Sequence, residues 1–157
     1  MTGQEGRPQR VLAVDYGDRR TGLAATDPGG RLALPLEIIE ERDRDRLIEA
    51  ILVRARERET ELILVGLPLA PDGGLGARGA KSMAFAARLA RRAAPVAVRG
   101  LDERHTTGAA HERLRQGGIK AARRRRKGVD AVAALLLVES WLAGEETVPV
   151  TGGETGE

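Results

Sequence analysis

Three acidic residues stand where aliphatic segments end or begin. Asp15 closes the apolar run Val11-Leu12-Ala13-Val14, Glu103 follows Leu101-Asp102, and Asp130 opens an apolar stretch reaching Leu142. A carboxylate at the end of a buried strand is costly unless a cation or hydrogen bonds compensate it. Each has an ordinary alternative. Asp15 would start the turn at Gly17, Glu103 would pair with a neighbouring arginine, and Asp130 would suit the dipole of a helix beginning there. Taken together they point to one site. Neighbouring parallel strands bring their C-terminal ends to one edge of a sheet, where ligands bind, and a helix starting near that edge adds a third carboxylate. Three oxygen donors suit a hard cation, Mg²⁺ or Mn²⁺. A pair of such ions about 3.5–4 Å apart activates water and stabilises the leaving oxygen of a phosphodiester.

Composition removes most other chemistries. The 157 residues contain no cysteine, so disulfides, thiolate nucleophiles and Cys-based zinc sites are excluded. The two histidines, His105 and His111, do not suffice for a multi-histidine metal centre. Three aromatic residues, Tyr16, Phe85 and Trp141, argue against gripping single strands by stacking several bases. Phe85 and Trp141 read as core. No apolar run approaches the roughly 20 residues that cross a membrane, and the polar start does not resemble a signal peptide, so a soluble cytoplasmic protein is expected.

Charge is unevenly spread. Residues 78–127 carry 15 basic and 3 acidic side chains, an excess of +12, whereas residues 128–157 carry six acids and no base. Such a field is the footprint of a partner with a phosphate backbone. Of the 26 basic residues 23 are arginine, whose planar fork matches phosphate oxygens, although a bias toward arginine codons would raise the same ratio. Codon bias explains less well the run Arg123-Arg124-Arg125-Arg126-Lys127, whose adjacent like charges repel unless an anion is near.

The elements that must position these residues follow from periodicity. Val11 to Val14, Thr21 to Thr26 and Arg31 to Ile39 read as three strands separated by turns at Asp15-Tyr16-Gly17 and Asp27-Pro28-Gly29-Gly30, an antiparallel meander. Leu47, Ile48, Ile51, Leu52 and Ala55 then fall on one face of a helix. Leu62 to Val65, stopped by Gly66, reads as a central parallel strand. A Gly-rich loop over 66–79 precedes a helix with Met83, Ala86, Ala87 and Ala90 on its apolar stripe, and Pro95 to Val98 forms a strand running on into Leu101-Asp102-Glu103. A helix capped by Thr106-Thr107 extends to about Arg115, and a last one covers Val129 to Leu142. The order βββαβαβαα implies an α/β fold with a mixed five-stranded sheet. Residues 10–143 form the one domain, with flexible tails at 1–9 and 144–157.

Four segments resemble the motifs of the YqgF (RuvX) family. They are Val11 to Gly17 with Arg20 and Gly22-Leu23-Ala24; Val65-Gly66-Leu67-Pro68 with Asp72-Gly73; Asp102 to Thr107; and Lys127 to Ala134. They stand in the family's order and span about residues 10–143. The resemblance implies a ribonuclease H-like fold, similarity to Holliday-junction resolvases of the RuvC type, and a part in maturing the 5′ end of the small-subunit ribosomal RNA precursor. It also implies a metal-dependent nuclease with Asp15, Glu103 and Asp130 as catalytic and metal-binding triad. One departure from the wider superfamily is visible. The glutamate commonly found at the end of the fourth strand is replaced by Gly66-Leu67-Pro68, and the family resemblance implies that Glu103 of the next strand supplies that acid.

Other residues have two readings each. Arg19 and Arg20 contact a scissile phosphate or are solvated hairpin charges, and Arg104 orients a carboxylate or reaches phosphate. Thr106 and Thr107 cap a helix or approach the backbone of a nucleic acid. With Arg123–Arg126 and Lys127 they make up the expected nucleic-acid-binding set. His105 fits a positioning or structural role better than a ligand. The Gly-rich loop lacks the Lys-Ser/Thr ending of a nucleotide-binding loop, and serves as a substrate flap or as plain linker. Asp15-Tyr16-Gly17 with Gly22 also resembles the phosphate-binding hairpin of sugar-kinase and actin-like ATPases. Those need two such domains, and this chain supplies one. Structured RNA, with ribosomal precursor particles as its setting, is the expected partner. Branched DNA is the alternative, as is an assembly module that binds without cutting. Either a monomer or a homodimer is consistent with the chain.

Overall fold

The computed structural model describes residues 7–103 and 129–150, with side chains from 132 onward in the second segment. Its elements are β1 (Val11–Asp15), β2 (Arg20–Thr26), β3 (Ala33–Glu40), α1 (Arg44–Glu57), β4 (Leu62–Leu67), α2 (Gly76–Ala93), β5 (Ala97–Asp102), α3 (Val129–Leu142) and β6 (Val148–Pro149). The expected helix near 106–115 and the basic run 123–127 lie outside the described residues.

A six-stranded sheet in the order β3-β2-β1-β4-β5-β6 forms the middle layer. The meander β1–β2–β3 is antiparallel, and β1–β4 and β4–β5 are parallel, as expected. The sixth strand is the difference: Val148–Pro149 pairs antiparallel with β5 in a stretch expected to be a loose tail. Proline lacks the N–H needed inside a sheet but is tolerated on an edge strand, which is where Pro149 sits. Arg99 fixes this strand by donating from Nε to Thr147 Oγ1 at 2.5 Å. The N-terminal stretch is held too. Arg7 lies over the Trp141 ring at 4.1 Å and donates to the Trp141 carbonyl oxygen, while the Gln9 and Arg10 amides donate to Glu61.

β1 and β4 are apolar at nearly every position because helices cover both faces of the sheet. On one face Leu12, Val14, Ile63 and Val65 meet α1 and α2 through Leu47, Ile48, Ile51, Phe85, Ala86 and Leu89. The α2 stripe therefore centres on Phe85, Ala86 and Leu89 rather than on Met83 and Ala90. The reason is that Phe85, stacked on Tyr16 with ring centroids 4.1 Å apart, is the largest group available to fill that layer. On the other face Val11, Ala13, Leu62, Leu64 and Leu101 meet α3 through Ala134, Leu135, Leu137, Val138 and Trp141. Phe85 and Trp141 are core, as expected.

This alternation decides what the ends of the strands present. Counting on from Ala13, Leu64 and Leu101, the positions Asp15, Gly66 and Glu103 fall on the α3 face. Leu137 comes close to Gly66, near the C-terminal ends of the strands, and Trp141 lies by Arg7 and Gln9 at the opposite end. α3 therefore runs antiparallel to β1, β4 and β5, and its first turn, with Asp130, lies toward the C-terminal edge.

The turn after Asp15 is tight. A Cβ on Gly17 would collide with the Arg20 backbone carbonyl, and Thr21 Oγ1 accepts from the Gly17 amide at 3.3 Å. Because the obstructing atom belongs to the backbone, no rotamer change relieves it. Gly17→Ala is expected to cost about 1–3 kcal/mol in urea unfolding, and unchanged stability would show that the turn opens freely.

Candidate metal centre

The parallel register brings the three strand ends level. Val14 pairs with Val65, so Asp15 stands next to Gly66, and Gly66 and Leu67 pair with Leu101 and Asp102. Glu103 then follows immediately past the end of β5. Its carboxylate lies over Gly66: a Cβ built on Gly66 would fall within contact distance of Glu103 Oε2, 3.1 Å from Glu103 Cδ and 3.1 Å from Leu137 Cδ1. The space a fourth-strand side chain would fill is thus occupied by the acid of the fifth strand. Gly66 is accordingly the fifth residue of β4 rather than the start of a loop, and the Gly-rich segment between β4 and α2 is 68–75.

Glu103 shares a hydrogen bond with Asp15. Burial pushes the Glu103 carboxyl above the usual carboxylate range, and the negative charge of buried Asp102 adds to this. The positive charge of Arg78 and the bond with Asp15 act against it. A divalent cation between the two carboxyls would satisfy both oxygens and cancel their repulsion. The donor set, oxygen without sulfur or imidazole, fits Mg²⁺ or Mn²⁺.

The expected site residues fare differently. Asp15 and Glu103 come together. Asp130 is the second residue of α3, on the helical stripe that holds Ala134 and Leu137, and its side chain lies outside the described residues. Among the described residues no cluster of three potential ligands occurs. Arg19 is exposed in the hairpin turn, and Arg20 makes an exposed ion pair with Glu40 at 3.5 Å. Such a pair contributes little, so Arg20 stays available to a phosphate. Arg104, His105, Thr106, Thr107, Arg123–Arg126 and Lys127 lie outside the described residues. Sequence reasoning missed Gly66 as the seat of Glu103, although a glycine interrupting a strand signals close approach by another group. It also missed Arg78 and Lys81, at the start of α2.

Two outcomes follow from this geometry. Gly66→Ala should fold, because the obstructing atoms are the end of a flexible side chain, yet Glu103 must leave its seat. Mn²⁺ affinity, read by calorimetry, should fall by at least tenfold, about 1.4 kcal/mol. The second outcome concerns pH. The folded-state pKa of Glu103 lies above its unfolded value, so its contribution to stability is fully present below the unfolded pKa and is lost as pH rises through the folded one. In EDTA, Glu103→Gln should therefore raise Tm by roughly 2–4 °C at pH 8 and leave it unchanged near pH 4. Added Mn²⁺ should stabilise the parent chain and not the variant.

The centre can be set beside known proteins. A structure of Thermus thermophilus RuvC in complex with a Holliday junction superposes with a TM-score of 0.62 at 14% identity, covering 89% of this chain and 99% of that one. At that identity the likeness shows the fold, which is ribonuclease H-like. A relative from Streptomyces avermitilis is 40% identical over 151 residues, 96% of this chain and 94% of its own length. Another, from Anaeromyxobacter sp. strain Fw109-5, is 42% identical over 135 residues, 86% and 97% respectively. Both carry the name "Putative pre-16S rRNA nuclease". A family model described as RuvX, Holliday junction resolvase, matches residues 9–144, well over half of the chain, and the protein belongs to that family.

Proposed function

We propose that the protein is a divalent-metal-dependent nuclease that cuts the precursor of 16S ribosomal RNA in the cytoplasm, through one domain spanning residues 10–143. The observation that carries this is the Glu103 carboxyl seated over Gly66 beside Asp15. Two adjacent acids at a sheet edge repel one another, and a metal-dependent nuclease of this fold needs them there. The names of the relatives supply the substrate. Asp15, Glu103 and Asp130 would hold Mg²⁺ or Mn²⁺. When bound, the ion supplies Lewis acidity and a water of lowered pKa.

The protein's own residues do the rest. β1 and β5 fix Asp15 and Glu103, so neither acid has to reorganise during hydrolysis. Arg19, Arg20, Arg104, Thr106, Thr107, Arg123–Arg126 and Lys127 would take the phosphate backbone. No described helix is long and apolar enough to cross a membrane, in keeping with a cytoplasmic substrate.

A second reading, resolution of branched DNA, is favoured by the family's description and by the likeness to RuvC. A resolvase cutting two strands needs a two-fold dimer, and light scattering tests for one. The third reading is an RNA-binding assembly module. Incubation of labelled precursor RNA, linear DNA and four-way junctions with Mn²⁺ or EDTA separates all three. Metal-dependent cutting of the RNA is expected. Equal RNA binding in Mn²⁺ and EDTA with no cleavage would leave only the module.

Asp15→Asn, Glu103→Gln and Asp130→Asn should each lower cleavage by about 10²–10⁴-fold, the range for losing a positioned catalytic group, while the protein stays folded. Replacing Arg123–Arg126 by serine should leave Tm within a degree or so. It should also flatten the slope of log K against log salt by about 0.7–0.9 for each phosphate that is no longer neutralised.

A further inference from the structure

We propose that Arg78 is a phosphate-binding residue of this centre, holding the two non-bridging oxygens of a backbone phosphate against the edge where Asp15 and Glu103 end. The inference rests on the nuclease reading above and adds to it an interaction that none of the four sequence motifs contains. Placement carries it. The buried Gly79 in the first turn of α2 is seated so closely that a Cβ there would lie 3.3 Å from the carbonyl oxygen of Pro68, the residue just past β4. Lys81 Nζ reaches both carboxylate oxygens of Asp18, at 2.9 and 3.0 Å, in the hairpin turn three residues beyond Asp15. The start of α2 is therefore pinned to the end of β4 on one side and to the β1–β2 turn on the other. Arg78 is one residue before the first anchor and three before the second. Its positive charge is felt at Asp18 and at Glu103, which sets it within electrostatic reach of both.

Helix stability does not explain the residue. A cation in the first turn opposes the helix dipole, and that turn contains no acid to offset it. Arg78 is exposed and closes no ion pair among the described residues. Arginines further along the same helix have partners: Arg88 and Arg92 reach Asp45 and Glu49 of α1 at 2.9 and 3.4 Å. A residue that breaks a local rule with no gain inside its own helix marks a place where function sets the choice. The function here is electrostatic. Two acids repel a phosphate diester, so a cation must seat it beside them, and the guanidinium fork fits two phosphate oxygens at once.

The test compares Arg78→Ala and Arg78→Lys with Arg92→Ala, a charge-matched control on the same helix. Binding to a labelled structured RNA is measured in Ca²⁺ over a range of salt, and cleavage in Mn²⁺. Arg78→Ala should flatten the salt slope by about 0.7–0.9, the value for one neutralised phosphate, and lower kcat/KM by about 10²-fold, as for loss of one preorganised donor. Arg78→Lys should restore the slope but not the full rate, since an ammonium cannot take the bidentate geometry. Arg92→Ala should leave both unchanged, and all variants should melt with the parent. If Arg78→Ala matches Arg92→Ala in slope and rate while the parent cuts RNA, the assignment of Arg78 is overturned and the nuclease reading stands. If the parent binds RNA without cutting it, the nuclease reading fails. The salt slope then decides by itself whether Arg78 touches phosphate.

Discussion

One close approach governs the edge of this sheet: the Glu103 carboxyl occupies the space that a side chain on residue 66 would fill, and there it meets Asp15. The arrangement depends on three strands ending level and on a glycine in the middle one. Leu137 of α3 lies over the same spot, and burial raises the proton affinity of Glu103. Two like charges in a half-buried site repel, and burial adds to the cost of charging Glu103. In the function proposed above, a dication would satisfy both oxygens, with substrate phosphates as further ligands.

The remainder of the fold makes that tension tolerable. Aliphatic cores on both faces of the sheet, with Leu12, Ile63, Leu64 and Leu135 among the fully buried side chains, supply the stability that the edge lacks. β1 lies between the antiparallel meander and the parallel half, so Asp15 is fixed by pairing with Gly22 on one side and by β4 on the other. α3 brings its first turn toward the same edge. Rigid elements thus hold the acids, and the β1–β2 hairpin turn and the start of α2, tied by Lys81 and Asp18, border them.

Much of this is legible in the sequence because period and punctuation are local signals. Asp15 ending an apolar run, the meander, and an apolar helix opening with Asp130 all follow from residues within a few positions of one another. Gly66 reads as a strand stop in the sequence because its meaning lies 37 residues away, in Glu103, and depends on the β4–β5 register. The sixth strand is hidden for a similar reason: Val148–Pro149 has no pattern of its own and exists through pairing with β5 and the Arg99–Thr147 bond. Arg78 looks like one more charge on a basic helix until the partners of Arg88 and Arg92 set it apart.

The most direct test of the centre is anomalous diffraction from crystals grown with Mn²⁺. Manganese should appear at the C-terminal edge of the sheet, ligated directly by Asp15 and Glu103 together with Asp130, with the Glu103 carboxyl still over Gly66. Manganese elsewhere, or a Glu103 turned away from Asp15 with the metal bound, would contradict the account.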